Sequence, residues 1–575
     1  MARMVKDKIW EVVLTGVRMC GLVPTATVCF EHPDELSHGD YACNVALQLA
    51  KDAGKNPREL AEEIVAALPK NDLISKTEVA GPGFINITLS SVAISKLVDE
   101  IGFKGEAYGT NTVNAGKRIM YEYTDPNPLK VFHIGHLMSN AIGEALARLA
   151  EQSGATVIRA NYQGDVGLHI AKAVFGMRAL ASSMPRDDDT ATAKTAWLGE
   201  AYVLGAKAYE EGEKEEIVRI NKALYEGTDS ELSALMEEGK RWSIAHFEDL
   251  YGTLGTTFDH YYFESQVSPR GLALVTAGLE QGIFERSDGA IVFKGEDEGL
   301  HTRVFVNALG IPTYEAKELG VGVTKFEEYP DLDRSYLVTG NEIVDYMKVV
   351  LHALGRIAPE VAARTIHVPH GMMLGADGKK FSSRKGGVVS GEGLLEEMRE
   401  LARERVREAR PETPEEELET IATRVAVAAI KYQILKQGIG KNIVFDRERA
   451  LSFEGDSGPY LLYTYARARS VLRRGKDEGL HQDIELTPGW ETTELERRLY
   501  WLPDVIERAA AERAPNMVAT YLTELAQTFN TYYGNTKIAD TNDPASPYRL
   551  ALTAATAQVL KNGLASLGIE TSERM

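Results

Sequence analysis

The stretch Asp125-Pro126-Asn127-Pro128-Leu129-Lys130-Val131-Phe132-His133-Ile134-Gly135-His136 constrains this chain more than any other. It follows a strand pattern, Arg118 to Tyr123. Pro126 and Pro128 end that strand, because neither can donate to a ladder. A helical period then predicts a helix from about Ile134 to Gln152, ended by Ser153-Gly154, and Thr156 to Asn161 reads as the next strand. Strand, helix, strand is the right-handed crossover of a parallel sheet. Ligands of such sheets bind outside the carboxyl ends of the strands. A helix N-terminus there offers free N–H groups and a positive dipole to anions. His133 and His136 are three apart and share a face of the first turn. Two imidazoles so placed can hydrogen-bond phosphate oxygens as charge builds in a transition state. Gly135 between them removes a side chain, so a flat adenine can lie against backbone. Metal binding is the rival reading, but zinc held by histidines of one helix uses i,i+4 spacing with a third ligand, and none is evident.

Far downstream, Lys379-Lys380-Phe381-Ser382-Ser383-Arg384-Lys385-Gly386-Gly387 alternates small residues with cations. A surface linker reads this way, and so does a mobile loop that meets a triphosphate as charge moves to the leaving pyrophosphate. Lysines act there as point charges.

The 575 residues predict about three to five domains. The first hundred read as a small α/β module. It has a turn-rich Glu31–Asp40, helical patterns Tyr41–Ala53 and Arg58–Leu68, a turn at Val79–Gly83 and a strand Phe84–Leu89. From Arg186 to about Leu250 the chain is helical and charged, as in an inserted helical segment. Strand-like pieces return at Ala290–Phe293, Val304–Val306, Ser335–Thr339 and Thr365–Val368, and from Gly391 onward the sequence is almost wholly helical. The expected fold class is thus α/β multidomain. We expect an N-terminal α/β domain over 1–105 and a Rossmann-type catalytic domain over 106–390 with an insertion at about 186–256. A helical connector over 391–455 and an all-α domain over 456–575 follow. No stretch approaches the ~18 apolar residues that span a bilayer. Met1–Cys20 is interrupted by Lys6, Asp7, Lys8, Glu11 and Arg18 and has no signal-peptide pattern. Cys20, Cys29 and Cys43 lie at no zinc-like spacing. Together these predict a cytoplasmic protein without a structural metal. The formal charge of −20 argues at first against a nucleic-acid partner. Charge is met locally, however. The acid lies in runs at 187–189, 210–216 and 412–419, while cations cluster at 379–385 and 467–476.

The two motifs resemble the HIGH and KMSKS signatures of class I aminoacyl-tRNA synthetases, through His133-Ile134-Gly135-His136 and Lys380-Phe381-Ser382-Ser383-Arg384. The second departs in having Ser383 where a lysine is usual. Tyr123–Pro128, Asn161–Gly167, Phe258–Ser265, Glu454–Tyr460, Tyr465–Arg469 and the ending Leu567–Met575 narrow the resemblance to the arginyl-tRNA synthetases. Gly39–Ala42 and Gly81–Asn86 resemble that family's extra N-terminal domain, which touches the tRNA elbow.

The resemblance implies an arginine–tRNA ligase that uses ATP with Mg2+. Arginine is activated to its adenylate and passed to the terminal adenosine of tRNA(Arg), by a monomer with no membrane partner. It implies His133, His136, Lys380 and Lys130 as catalytic groups, and Gly135, Ser382 and Ser383 beside His133, His136 and Lys380 around ATP. Asn127, His136, Tyr314, Glu318, Glu342 and Asp345 are implied around L-arginine, with Glu318 where the family usually has Asp. A guanidinium needs carboxylate and planar acceptors. Tyr460, Arg467, Arg469 and Arg473 would meet tRNA, where aromatic rings stack on unpaired bases. The rivals are a class I synthetase for another amino acid, or a catalytically degenerate tRNA-binding scaffold.

Overall fold

Proline at Pro126 and Pro128 does end the first strand of a parallel sheet. In the computed structural model, which describes residues 2–23, 30–33, 35–379 and 390–575, that strand is β1 (Arg118–Glu122). It is followed by β2 (Thr156–Gln163), β3 (His260–Phe263), β4 (Arg334–Gly340) and β5 (Thr365–His370). Their order across the five-stranded sheet is β5-β4-β1-β2-β3, all parallel. The chain builds outward from β1 to β3, then returns to lay β4 on the other side of β1. The crossovers part between β1 and β4, which opens a crevice at the carboxyl ends of those two strands. The helix Ile134–Gln152 begins in that crevice.

Between β2 and β3 the helices Ala191–Glu211, Lys214–Glu226 and Ser230–Leu254 share one apolar core with Leu168–Ala179, so the helical unit begins before residue 186. Glycine permits the closest approach: a Cβ at Gly176 would lie 1.9 Å from the carbonyl oxygen of Ala201, and one at Gly205 would lie 1.8 Å from that of Lys172. Ala290–Phe293 and Arg303–Val306 lie outside the parallel sheet, pairing antiparallel with each other beside Glu285–Ser287.

The N-terminal unit is a helix, Ala2–Met19, on a four-stranded antiparallel sheet with helices Val45–Ala53 and Pro57–Ala66. Tyr41–Cys43 is a strand of that sheet rather than the start of a helix. Tyr41 and Cys43 are buried and Ala42 is partly exposed, the period of two that a strand imposes. The helix Ser91–Lys104 lends Ala93, Ile94 and Leu97 to the N-terminal core and Val98 and Ile101 to the main one. The C-terminal third is helical apart from Ile443–Phe445, which pairs parallel with Met373–Gly375. The main core is continuous from the helix Ile134–Gln152 to the last helix, Ser546–Ser566.

Candidate active site

Three of the five described non-glycine residues with positive φ, Thr124 (78°), Asp125 (48°) and Leu129 (64°), lie in the turn between β1 and the helix. For Thr this conformation is costly and persists only where its surroundings enforce it. The enforcing bonds are present. The N–H of Thr124 donates to Oγ of Ser139 at 3.0 Å, and Nδ2 of Asn140 donates to Oγ1 of Thr124 at 3.1 Å. Tyr162 N–H donates to Oδ1 of Asp125 at 2.8 Å, and Gly164 N–H donates to Oδ1 of Asn127 at 3.0 Å. A Cβ at residue 164 would lie 2.4 Å from Asn127 Oδ1, so any larger residue there must push the Asn127 side chain aside.

His133 and His136 cap the helix reciprocally. The N–H of His136 donates to Nδ1 of His133 at 3.3 Å, and the N–H of His133 donates to Nδ1 of His136 at 3.1 Å. Each Nδ1 therefore acts as an acceptor, and the ring proton of the neutral imidazole is left on Nε2. The rings stack with centroids 3.4 Å apart. Burial and then Lys130 pull the His133 pKa below its usual value, with Glu342 opposing; burial, His133 and Lys130 pull His136 well below. Both rings are thus neutral Nε2–H donors. A Cβ at Gly135 would lie 2.9 Å from the His133 ring, so this glycine serves the cap itself. Lys130 Nζ lies 5.7 Å from the ring centre of Tyr202, and its pKa is lowered by burial and Lys172 against Glu264.

The helix Tyr314–Glu328 lines the other wall of the crevice. Lys325 pairs with Glu122 at 2.5 Å and Lys317 with Glu264 at 2.7 Å, both deeply buried. Arg303 faces Glu315 at 3.5 Å. Glu318 is left over: among the described residues its half-buried carboxyl has no hydrogen-bond or ion-pair partner. Burial and the nearby Glu122 push its pKa up to about 8, with Lys325 opposing. Asp125 is pushed up as well, by burial and Glu122, and Glu318 adds to the shift. The buried hydroxyls of Tyr162 and Tyr346 likewise have no partner among the described residues, and both tyrosines feel Glu318 and Glu264. These are donors and a carboxyl with nothing to bind, which a folded protein rarely buries without a ligand.

The other expected residues fall in different places. Tyr314 is 55% exposed at the pocket mouth, its ring 5.1 Å from Lys317 Nζ. Glu342 folds back over Gly340, where a Cβ would lie 2.1 Å from its Oε2, and its charge raises the pKa of both His133 and His370. It faces the imidazoles. Asp345 is exposed and binds Lys348 at 2.9 Å. Lys380, Ser382 and Ser383 lie outside the described residues. The segment before them ends with the N–H of Gly375 donating to the carbonyl of Lys379 at 2.8 Å. The segment after them begins at Ser390, which pairs with His133. Among the described residues no group of three or more His, Cys, Asp or Glu is arranged to hold a metal. Sequence reasoning passed over Glu122, Tyr162, Glu264, Lys317, Lys325 and Tyr346. Tyr162 and Glu264 sat inside runs already singled out, but burial marks them and a sequence does not display it.

In the C-terminal bundle a groove of about 590 Å3 is lined by Tyr463, Arg467, Arg473, Arg474, Tyr533 and Met575, among others. The Arg467 guanidinium lies 4.7 Å from the ring centre of Tyr463 and 5.0 Å from that of Tyr533. Arg469 and Arg473 face Glu573 at 2.9 and 3.8 Å. Tyr460 is buried, and its hydroxyl accepts from Asn530 at 2.9 Å.

Known proteins match along the whole chain. Residues 98–447 match the model of the class I (R) tRNA-synthetase catalytic domain, 461–575 the DALR anticodon-binding domain and 5–89 the arginyl-tRNA synthetase N-terminal domain. The arginine–tRNA ligase of Azotobacter vinelandii is 34% identical over 580 residues, covering 97% of each chain. That of Pseudomonas syringae is 32% identical over 587 residues, covering 100% of this chain and 99% of its own. The solved arginyl-tRNA synthetase of Thermus thermophilus superposes with a TM-score of 0.75 at 27% identity, covering 99% of this chain and all of its own. With a strained turn feeding a doubly capped histidine pair, an acidic crevice beside it and matches from end to end, this chain belongs to the arginyl-tRNA synthetases.

Proposed function

We propose that the chain ligates arginine to tRNA(Arg), with the Glu318 pocket as the amino-acid site and the His133–His136 pair as the nucleotide site. The observation that carries the reading is the Glu318 carboxyl, near the buried hydroxyls of Tyr162 and Tyr346, all three without a hydrogen-bond partner among the described residues. A guanidinium is a planar cation that needs one charge partner and further in-plane acceptors. Ionised Glu318 supplies the charge. Tyr162 and Tyr346 supply hydroxyl oxygens, and Asn127 and the half-exposed Tyr314 bound the end where the α-amino and carboxylate groups lie.

The arginine carboxylate attacks the α-phosphorus of ATP in line, the bond to the bridging oxygen breaks, and pyrophosphate leaves. A hydroxyl of the terminal adenosine then takes the arginyl group and AMP is released. The Nε2–H donors of His133 and His136 bind phosphate oxygens as they gain charge. Neutral rings fixed by backbone N–H groups need no reorganisation to do so. Lys130 adds a cation on the same side, and Lys380 would meet the leaving pyrophosphate. ATP brings Mg2+ with it. Tyr463, Arg467 and Tyr533 offer stacking faces and a cation to unpaired bases of the anticodon loop, with Arg469 and Arg473 beside them, while Tyr460 acts from the core by holding Asn530, which Arg467 binds. The enzyme is read as a cytoplasmic monomer.

Pyrophosphate exchange with each amino acid, with and without tRNA, tests the reading. Exchange with arginine alone supports it. Exchange with lysine or another amino acid overturns the pocket assignment. Salt-dependent tRNA binding with no exchange would make the chain a scaffold.

A further inference from the structure

Lys431 is fully buried on the helix Glu415–Leu435, yet no carboxylate is within ion-pair reach of it among the described residues. Burying a cation is costly unless its donors are all taken. Two of its three donors go to helix ends. Nζ donates to the carbonyl of Leu254 at 2.5 Å and to that of Gly568 at 2.7 Å. Leu254 is the last residue of the helix Ser230–Leu254, which closes the insertion. Gly568, with φ of 66°, follows the last helix of the chain. There the N–H of Ile569 donates to Leu564 O at 2.9 Å and that of Gly568 to Ala565 O at 3.0 Å, a glycine-terminated helix end. The negative ends of two helix dipoles thus converge on one ammonium.

A second cation repeats the arrangement. Arg148, on the helix that carries His133 and His136, donates to the carbonyl of Gly255 at 2.8 Å and to that of Ala565 at 3.2 Å. Its Nε binds Glu144 at 2.6 Å. The Glu144 carboxylate raises the Lys431 pKa against the burial that pulls it down to about 7, and the carbonyls that accept from Lys431 also favour its charged form. Glu144 in turn accepts from the hydroxyl of Tyr123 at 2.6 Å, and Tyr123 immediately precedes the strained Thr124–Asn127 turn.

We propose that Lys431 and Arg148 are positioning residues: by tying the carbonyl ends of the insertion and of the last helix to the histidine helix, they hold the strained Tyr123–Asn127 turn in place for chemistry. Lys431 and Arg148 meet at the end of the last helix, at Gly568 and Ala565, and from Arg148 the bonds run on to Glu144, Tyr123 and the turn that holds Asn127. Neither Lys431 nor Arg148 lines the bundle groove or the Glu318 pocket, so the junction acts on rate more than on binding. The inference rests on the assignment of arginine–tRNA ligase activity.

The test compares Lys431→Met with Val559→Ala, which opens a cavity in the core of the same last helix away from the junction. Melting temperatures, arginine and tRNA dissociation constants, and kcat and KM for tRNA charging are measured on the full chain. Lys431→Met is expected to lose roughly tenfold in kcat, with both dissociation constants within twofold of wild type. Val559→Ala is expected to keep its kcat despite a lower melting temperature. Should Lys431→Met fail to fold, Arg148→Gln, at a partly exposed position, reads the same junction with the same expectation. Loss of kcat in Val559→Ala equal to that in the junction variant would make the junction merely structural and overturn the inference. So would a junction variant with unchanged kcat, or one whose tRNA dissociation constant rises in step with the loss of rate. A wild-type chain that charges no tRNA would fail the activity assignment instead.

Discussion

Arginine binding should release a proton, and its affinity should rise with pH. The Glu318 carboxyl is pushed up to about 8 in the empty pocket, so it is mostly protonated at pH 7. Guanidinium binding requires the ionised form. The sign follows: well below pH 8 nearly every bound arginine expels a proton, and well above it almost none does. At pH 7 about one site in eleven is ionised, against about three in four at pH 8.5, so the dissociation constant should fall roughly eightfold between them, about 1.2 kcal/mol. Because Asp125 is raised by the same burial and feels Glu318, the proton belongs to the pair rather than to one carboxyl. Titration calorimetry at both pH values, in buffers of different ionisation enthalpy, reads affinity and proton release together. Glu318→Gln should bind weakly and lose the pH dependence. A dissociation constant unchanged within twofold over this range, with no proton released at pH 7, would refute the pocket as drawn.

Three further outcomes follow from the geometry. His136→Ala removes an Nε2–H donor, and should lower kcat by roughly a hundredfold while tRNA affinity, read by filter binding, changes little; equal losses in both would contradict its role. Gly135→Ala sets a Cβ against the His133 ring, so it should break the reciprocal cap and lower both kcat and, by about 1 kcal/mol in denaturant unfolding, stability. Asp40 is fully buried and accepts from Arg497 at 2.6 Å, Tyr500 at 2.7 Å and the N–H of Leu89 at 2.6 Å. Asp40→Ala strands the Arg497 guanidinium between the N-terminal unit and the bundle, and should cost about 3 kcal/mol, with the N-terminal unit becoming open to limited proteolysis.

What the sequence determined by itself was local. Prolines that stop β1, a 3.6-residue period ended by Ser153-Gly154, and histidines three apart at a helix start all act through neighbours along the chain. The histidine helix therefore runs from Ile134 to Gln152 as its residues foretold. Short alternation was read less well. Tyr41–Cys43 carries a helix-compatible run, and pairing with Phe84–Leu89 on one side and Phe30–Glu31 on the other makes it a strand. The charge partners were decided by tertiary structure alone. The strand order β5-β4-β1-β2-β3 brings Glu122 to Lys325 and Glu264 to Lys317. That pairing consumes neighbouring charges and leaves Glu318 without a partner among the described residues. The same order turns Glu342 toward His133, while Asp345, on the next helix, faces water. Which acid is free to hold a cation depends on which others are already neutralised. Only the fold settles that: Lys317 and Lys325 sit on the same helix as Glu318, but Glu264 and Glu122, the carboxylates that claim them, arrive from elements distant in the chain.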